Sequence, residues 1–295
     1  MSLIITVVTP YAVVQVSDMQ VTAFKDGTVV SGQQRKSIIM QGSQVVFVIG
    51  WTGLATVGNH NTGEWLHRQL DAMNAPSLPL ETIVKSLADS ATLHFATLPK
   101  MDKRSTFSLG GWFVIPINTV EPFSARITNC ETDPVGTLSA TASVKFEYGF
   151  GLRNPKKPPS KHPYMVTVTG DERTALELKT YWRGLRGLLK RLVDSSRISS
   201  ACRQIALAVA MKQDEKKKKN AHYVKTVGKS LLAIEMDSSG ASQCFFFPED
   251  GSSTLVLAAD IVSAALSTKG VTMDRRLNKD GNVEIMVKGW FKRNA

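Results

Sequence analysis

The first side chain in this 295-residue chain that could act as a nucleophile is that of Ser2, one position from the start. A serine hydroxyl attacks poorly until a base takes its proton. A free α-amino group, with an ordinary pKa of roughly 7.7–8.0, can be that base for its own side chain. Loss of Met1 would expose Ser2. An initiator methionine is normally removed before so small a residue, so no propeptide is expected. Chemistry of this kind draws on three further residue types. A lysine ammonium favours the neutral amine by like-charge repulsion, and an aspartate paired with that lysine fixes its position. A backbone N–H at a glycine turn can stabilise a tetrahedral oxyanion. Asp18, Lys36 and Gly50 are residues of these types. Taken singly, the four have ordinary readings: an N-terminal residue, a turn aspartate, a surface lysine and a strand-end glycine.

Other chemistries find less support. Cys130, Cys202 and Cys244 are odd in number and widely spaced. They form no metal-ligand pair and no disulfide framework, and a reducing compartment is expected. His60, His67, His94, His162 and His222 show no ligand spacing, and His60, between Asn59 and Asn61, reads as a surface polar site. There is no Gly-x-Ser-x-Gly elbow. Gly50-Trp51-Thr52-Gly53 is not followed by Gly-Lys-Ser/Thr. Val227-Gly228-Lys229-Ser230 has that triplet, but Tyr223 stands where a phosphate loop needs its first glycine. No cofactor and no metal are expected.

These residues need elements to position them. Leu3–Val8 is rich in β-branched residues, Thr9-Pro10 marks a turn, and Val13–Val16 resumes the strand pattern. Lys25-Asp26-Gly27 reads as a hairpin turn. Ser37–Met40 and Val45–Ile49 read as strands, the run ending at Gly50. Gly63–Met73 and Leu80–Leu98 carry apolar residues at helical spacing. Strands return at Thr106–Ile117 and Pro122–Thr128, a hairpin with Asn118–Glu121 as its loop, and at Val144–Gly149. After a Pro- and Lys-rich loop, Asn154–Pro163, Met165–Val168 leads into a second helix pair. Its stripes are Leu178, Tyr181, Trp182, Leu185, Leu188, Leu189 and Leu192, and then Ile198, Cys202, Ile205 and Val209. Asp214–Asn220 reads as a solvated loop, Ser230–Met236 and Gln243–Phe247 as strands, and the last fifty residues as mixed α and β. Strand runs alternating with helix pairs argue for a layered α+β fold rather than βαβ units.

Four stretches resemble the first third of a proteasome β-subunit. They are Ser2–Val8, Val13–Thr22 with Val16-Ser17-Asp18-Met19-Gln20-Val21-Thr22 at its centre, Arg35–Ile39, and Val46–Gly53. That family begins its mature chain on a nucleophilic Thr in a strand. It keeps an Asp about sixteen positions on, then a Lys, then a Gly. Counting back sixteen from Asp18 lands on Ser2, and Gly50 follows Lys36 by fourteen. The resemblance implies Ser2 as nucleophile, Lys36 as the charge beside the amine, Asp18 as its partner and Gly50 as the oxyanion donor. It implies a four-layer αββα sandwich of N-terminal-nucleophile (Ntn) hydrolase type, two packed sheets flanked by helix pairs. It implies a threonine-protease-like amidohydrolase acting on a peptide or protein substrate, and a homo-oligomer. The expected domain covers 1–250 with an insertion near 151–163, and 251–295 is an extension packed on it. The family also keeps an Asp and a Ser before a Gly-Gly pair. Here that region reads His222-Tyr-Val-Lys-Thr-Val-Gly228-Lys-Ser230, with no Asp at the matching place.

Composition adds a second theme. Residues 151–220 hold 17 Lys or Arg against 6 Asp or Glu, so this segment alone matches the +11 net charge of the whole chain. A solvated basic face is one reading, and a dock for an acidic partner, nucleic acid or an anionic surface the other. Two alternatives to the hydrolase follow: a degenerate proteasome-like subunit that assembles or binds without cleaving, and a basic binding module. Leu3–Val8 and Leu255–Leu266 are too short to span a bilayer, and a cytoplasmic, unanchored protein is expected.

Overall fold

The structure, a computed structural model, describes residues 2–22, 29–31, 34–99, 103–115, 119–130, 145–152, 164–191, 194–220, 222–237, 241–249, 254–256, 272–277 and 283–288. The chain opens with β1 (Leu3–Val8) and β2 (Ala12–Asp18), then a hairpin of β3 (Val21–Thr22) and β4 (Val29–Ser31), then β5 (Ser37–Gln41) and β6 (Val45–Gly53). After the short β7 (Thr56–Val57) and β8 (His60–Asn61) come α1 (Thr62–Ala72) and α2 (Leu80–Thr97). Then follow β9 (Ser105–Ile115), β10 (Thr119–Thr128), β11 (Glu147–Leu152) and β12 (Met165–Gly170). The second helical stretch holds α3 (Glu172–Leu176), α4 (Lys179–Lys190) and α5 (Ser195–Lys219). It leads into β13 (Leu231–Asp237), β14 (Ser242–Phe247), β15 (Thr254–Val256), β16 (Thr272–Leu277) and β17 (Val283–Lys288).

Two larger antiparallel sheets result, in the orders β12-β1-β2-β13-β14-β15 and β11-β10-β9-β6-β5. β1 is buried along its whole length because it lies between β12 and β2 and has both faces covered. Leu3, Ile5 and Val7 pack with Trp182, Leu185 and Leu189 of α4 and Cys202, Ile205 and Val209 of α5. On the other sheet, Phe47, Ile49 and Leu109 pack with Trp65 and Leu66 of α1 and Ile83 and Leu87 of α2. A third cluster unites Val13 and Leu232 of the first sheet with Val48 and Trp112 of the second. Among the described residues the chain is thus α+β, with two antiparallel sheets and five α-helices, compatible with a sandwich. No helix among them is long and apolar enough to cross a membrane.

Several local expectations need correction. Asp214–Lys219 is not a loop but the end of α5. A short extra helix, α3, precedes α4. β6 does not stop at Gly50 but runs to Gly53, where φ reaches +99°. β10 begins at Thr119, with Pro122 inside it facing Trp112. β11 lies three residues later than the expected strand. The Lys25–Gly27 turn and the Asn154–Pro163 loop lie outside the described residues, as does most of 251–295. Of that last segment, Thr254–Val256 pairs with β14, and β16 pairs antiparallel with β17.

Candidate active site

Thr9 shapes the turn that brings the start of β1 beside the end of β2. Its Oγ1 donates to the Ala12 carbonyl at 2.9 Å and accepts from the amides of Tyr11 at 3.2 Å and Ala12 at 2.8 Å, a side-chain turn of the Ser/Thr kind. The register sets Ile4 opposite Ser17, so residues 2 and 3 arrive at Asp18. The Leu3 amide donates to Asp18 Oδ1 at 2.7 Å. Asp18 Oδ2 accepts from the amides of Gln20 at 3.2 Å and Gly228 at 3.4 Å. Lys36, just before β5, completes the group. Its Nζ lies 3.1 Å from Asp18 Oδ2, 2.6 Å from Ser2 Oγ and 2.5 Å from the Gln20 carbonyl. Ser2, Asp18 and Lys36 are 5%, 0% and 1% exposed. Lys36 is therefore no surface lysine.

The charge state of Lys36 follows from competing effects. Burial pushes its pKa below the ordinary lysine value, while the charge of Asp18 and its hydrogen bond pull it back up. An ammonium has three protons and no acceptor site. Here three oxygens surround Nζ, one of them a carboxylate, and each can take one proton. The geometry fits the charged form. Lys36 therefore donates to Ser2 Oγ and has no lone pair free to take its proton.

Gly50 stands differently. The Trp51 amide donates to the Lys36 carbonyl at 3.0 Å. Since successive residues of a strand point their N–H groups to opposite sides, the N–H of Gly50 is turned toward β9, where Ser108 is its partner. A Cβ at Gly50 would lie 2.6 Å from Gln15 Oε1 and 2.9 Å from Ile4 Cδ1. Gln15 Oε1 accepts from Ser37 Oγ at 2.7 Å, and Gln15 Nε2 donates to Thr6 Oγ1 at 3.0 Å. The missing side chain at Gly50 leaves room for this buried bridge. Arg35 and Ser37, the neighbours of Lys36, line a cavity of about 420 Å³ together with Trp51, Asn61, His67 and Arg68.

One backbone partner of Ser2 comes from far along the chain. The Asp171 amide donates to the Ser2 carbonyl at 3.0 Å. Gly170, with φ +98°, permits that approach, because a Cβ there would fall 1.7 Å from the same oxygen. A glycine followed by a helix-capping Asp, Gly170-Asp171, is the feature that could have revealed the junction.

His60 is not the surface residue its asparagine neighbours suggest, being 6% exposed. Thr62 Oγ1 donates to the Leu54 carbonyl at 2.6 Å, so its oxygen accepts from His60 Nε2 at 2.9 Å. Nδ1 of His60 then accepts from His94 Nε2 at 2.9 Å. Burial, followed by His94 and Arg68, pushes the His60 pKa down to about 4. Among the described residues no three His, Cys, Asp or Glu gather as a metal site would require.

No protein family and no curated protein matches the chain. Among solved structures it is similar to the Anbu (Gly-1) mutant from Hyphomicrobium sp. strain MC1, at 12% identity and TM-score 0.45 over 82% of this chain and 84% of that one. It is similar to Anbu from the same strain, at 12% and 0.44 over 86% and 87%. It is also similar to Anbu (ancestral beta-subunit) from Yersinia bercovieri, at 12% and 0.45 over 84% and 88%.

Proposed function

We propose that the chain is a proteasome-like Ntn hydrolase, built as a four-layer αββα sandwich, that cleaves amide bonds of peptide or protein substrates through Ser2 once Met1 is removed. The observation that carries this reading is the position of Lys36 Nζ, 2.6 Å from Ser2 Oγ and 3.1 Å from Asp18 Oδ2 in a buried site. The freed α-amine takes the Oγ proton, and Oγ attacks the substrate carbonyl carbon. The ammonium formed at the terminus protonates the departing amine, and water then releases the acyl group from Ser2. Lys36 repels a second positive charge and so keeps the amine unprotonated. It also stabilises negative charge developing on Oγ. Asp18 holds Lys36 in place and, through the Leu3 amide, holds the strand that bears the nucleophile. Gly50 enters through packing beside Gln15 rather than as oxyanion donor. The cavity lined by Arg35, Ser37 and Trp51 is where a substrate side chain would sit.

The test is hydrolysis of a panel of activated amides and esters by the protein with its terminus defined. Ser2→Ala should reduce turnover by at least about 10³-fold, as loss of a nucleophile does. A wild-type protein starting at Ser2 and inert across the panel would favour the degenerate subunit.

A second reading rests on α4. Lys179, Arg183, Arg186 and Lys190 are spaced so that they share one narrow arc of the helix, all exposed, with no acidic residue on α4. That line fits an acidic partner. Binding to a polyanionic resin that falls steeply with salt, and falls further in K179E/R183E, would support it. Binding indifferent to either would not.

A further inference from the structure

Gln213 occupies a position that the pattern of α5 reserves for an apolar residue. Cys202, Ala206 and Val209 precede it on the buried stripe, and Gln213 itself is 1% exposed. A buried amide with unmet hydrogen bonds costs on the order of 1–3 kcal/mol, so its partners indicate what keeps it there. Its Oε1 accepts from the amides of Thr226 at 2.8 Å and Val227 at 2.9 Å. Its Nε2 donates to Asp171 Oδ2 at 2.7 Å and to Thr226 Oγ1 at 3.3 Å. The amide meets all its bonds, and they run to two separate segments that both touch the candidate site. Asp171 donates its own N–H to the Ser2 carbonyl at 3.0 Å. The 226–228 segment ends in the Gly228 amide, 3.4 Å from Asp18 Oδ2.

We propose that Gln213 is a positioning residue for the Ser2 site, clamping the Gly170-Asp171 junction to the Thr226–Gly228 segment so that Ser2 and Asp18 are held in register from outside their own hairpin. The inference rests on the Ser2 reading of the site but stands on its own contacts. One end of the clamp fixes the backbone carbonyl of the nucleophile residue. The other fixes a donor to the carboxylate that holds Lys36. The segment before Gly228 is thus organised by a side chain that reaches it from α5. Neither Gln213 nor the Asp171 side chain touches Ser2 Oγ, so each acts through the backbone.

The pairing can be inverted as a test. In Q213E the acceptor for Thr226 and Val227 remains, but a carboxylate replaces the donor facing Asp171, and two like charges meet. In the double variant D171N/Q213E an amide again faces a carboxylate with the roles exchanged. Two readouts on the full-length chain separate this proposal from the hydrolase reading. The first is the rate at which an activated ester acylates Ser2, located by mass spectrometry. The second is hydrogen exchange at the Asp171 and Gly228 amides by NMR. Q213E should slow acylation about tenfold or more, in the range that small misplacements of reacting groups produce, and should raise exchange at both amides. D171N/Q213E should return both toward wild type at unchanged thermal midpoint. If wild-type Ser2 is not acylated at all, the hydrolase reading fails, while the exchange data still decide the clamp. Exchange unchanged in Q213E, or no rescue in the double variant, would overturn the proposal.

Discussion

At the scale of single residues, Ser2, Asp18 and Lys36 make different demands on stability, and their variants separate accordingly. Lys36→Met removes the partner of a carboxylate that is 0% exposed. Leaving such a charge unpaired typically costs about 3–5 kcal/mol, so chemical denaturation should show a loss of that size together with lost hydrolysis. Ser2→Ala removes one acceptor of Lys36 and little packing. Its cost should stay near 1–2 kcal/mol, with the fold intact by circular dichroism. His60 gives a pH prediction. Its folded pKa of about 4 lies below the ordinary 6.5, so between those values the unfolded chain binds the proton and the folded one does not. Stability contributed by neutral His60 is complete above about 6.5 and is lost as pH falls toward about 4. The thermal midpoint should drop across that window, and His60→Gln should flatten the drop. A wild-type midpoint that is flat there would contradict the burial argument. Of the site, the meeting of the residue 2 end of β1 with Asp18 is legible from spacing, because strand–turn–strand counting fixes which ends meet; Lys36 lies outside that hairpin, and only the resemblance points to it. The orientation of the Gly50 N–H is not legible, since it depends on which neighbour pairs with which face of β6. Nor is the burial of His60, whose polar neighbours conceal its pairing with His94, thirty-four residues away.

Among the elements, α4 and α5 show where local patterns serve and where they fail. Of the apolar stripe of α4, Trp182, Leu185 and Leu189 are buried, whereas Tyr181 faces outward, because 3–4 residue spacing does not say how wide the covered face is. Gly184 and Gly187 lie in that helix with nothing within 4 Å of where a Cβ would stand. Glycine in an exposed helix interior costs about 1 kcal/mol relative to alanine. G184A/G187A should therefore raise stability by about 1–2 kcal/mol, read by urea denaturation. A loss instead would mean that the space is needed. Gly170→Ala should do the opposite, destabilising by more than about 1 kcal/mol, because φ is +98° and the Cβ meets the Ser2 carbonyl. The end of α5 is helical although four consecutive lysines look like a solvated loop. Those lysines sit at the negative end of the helix dipole, where positive charge is favoured. Asp214 beside them is tied to Lys225 at 2.7 Å and Lys229 at 3.2 Å. Such anchors come from residues distant in sequence, so helical spacing alone does not show them.

For the whole molecule, the two sheets and the helices bring residues from the first strand, from the segment before β5 and from the far end of α5 to one buried place. The proteasome-like reading carries a homo-oligomer with it, and sedimentation at micromolar concentration should find more than a monomer. The basic line on α4 argues against that helix meeting its own copy without an acidic surface between them. Raising the salt should then tighten any self-association through this face. The central claim is that Ser2 is the nucleophile and its own amine the base. The most direct measurement is mass spectrometry of the protein after reaction with an electrophilic ester, in wild type and in a variant with a bulky residue inserted between Met1 and Ser2. The account predicts an N-terminal peptide that begins at Ser2 and carries the adduct in the wild type. It predicts no adduct in the variant, where the Ser2 nitrogen stays in an amide and cannot serve as a base. An adduct on another residue, or equal labelling of Ser2 with its nitrogen blocked, would contradict it.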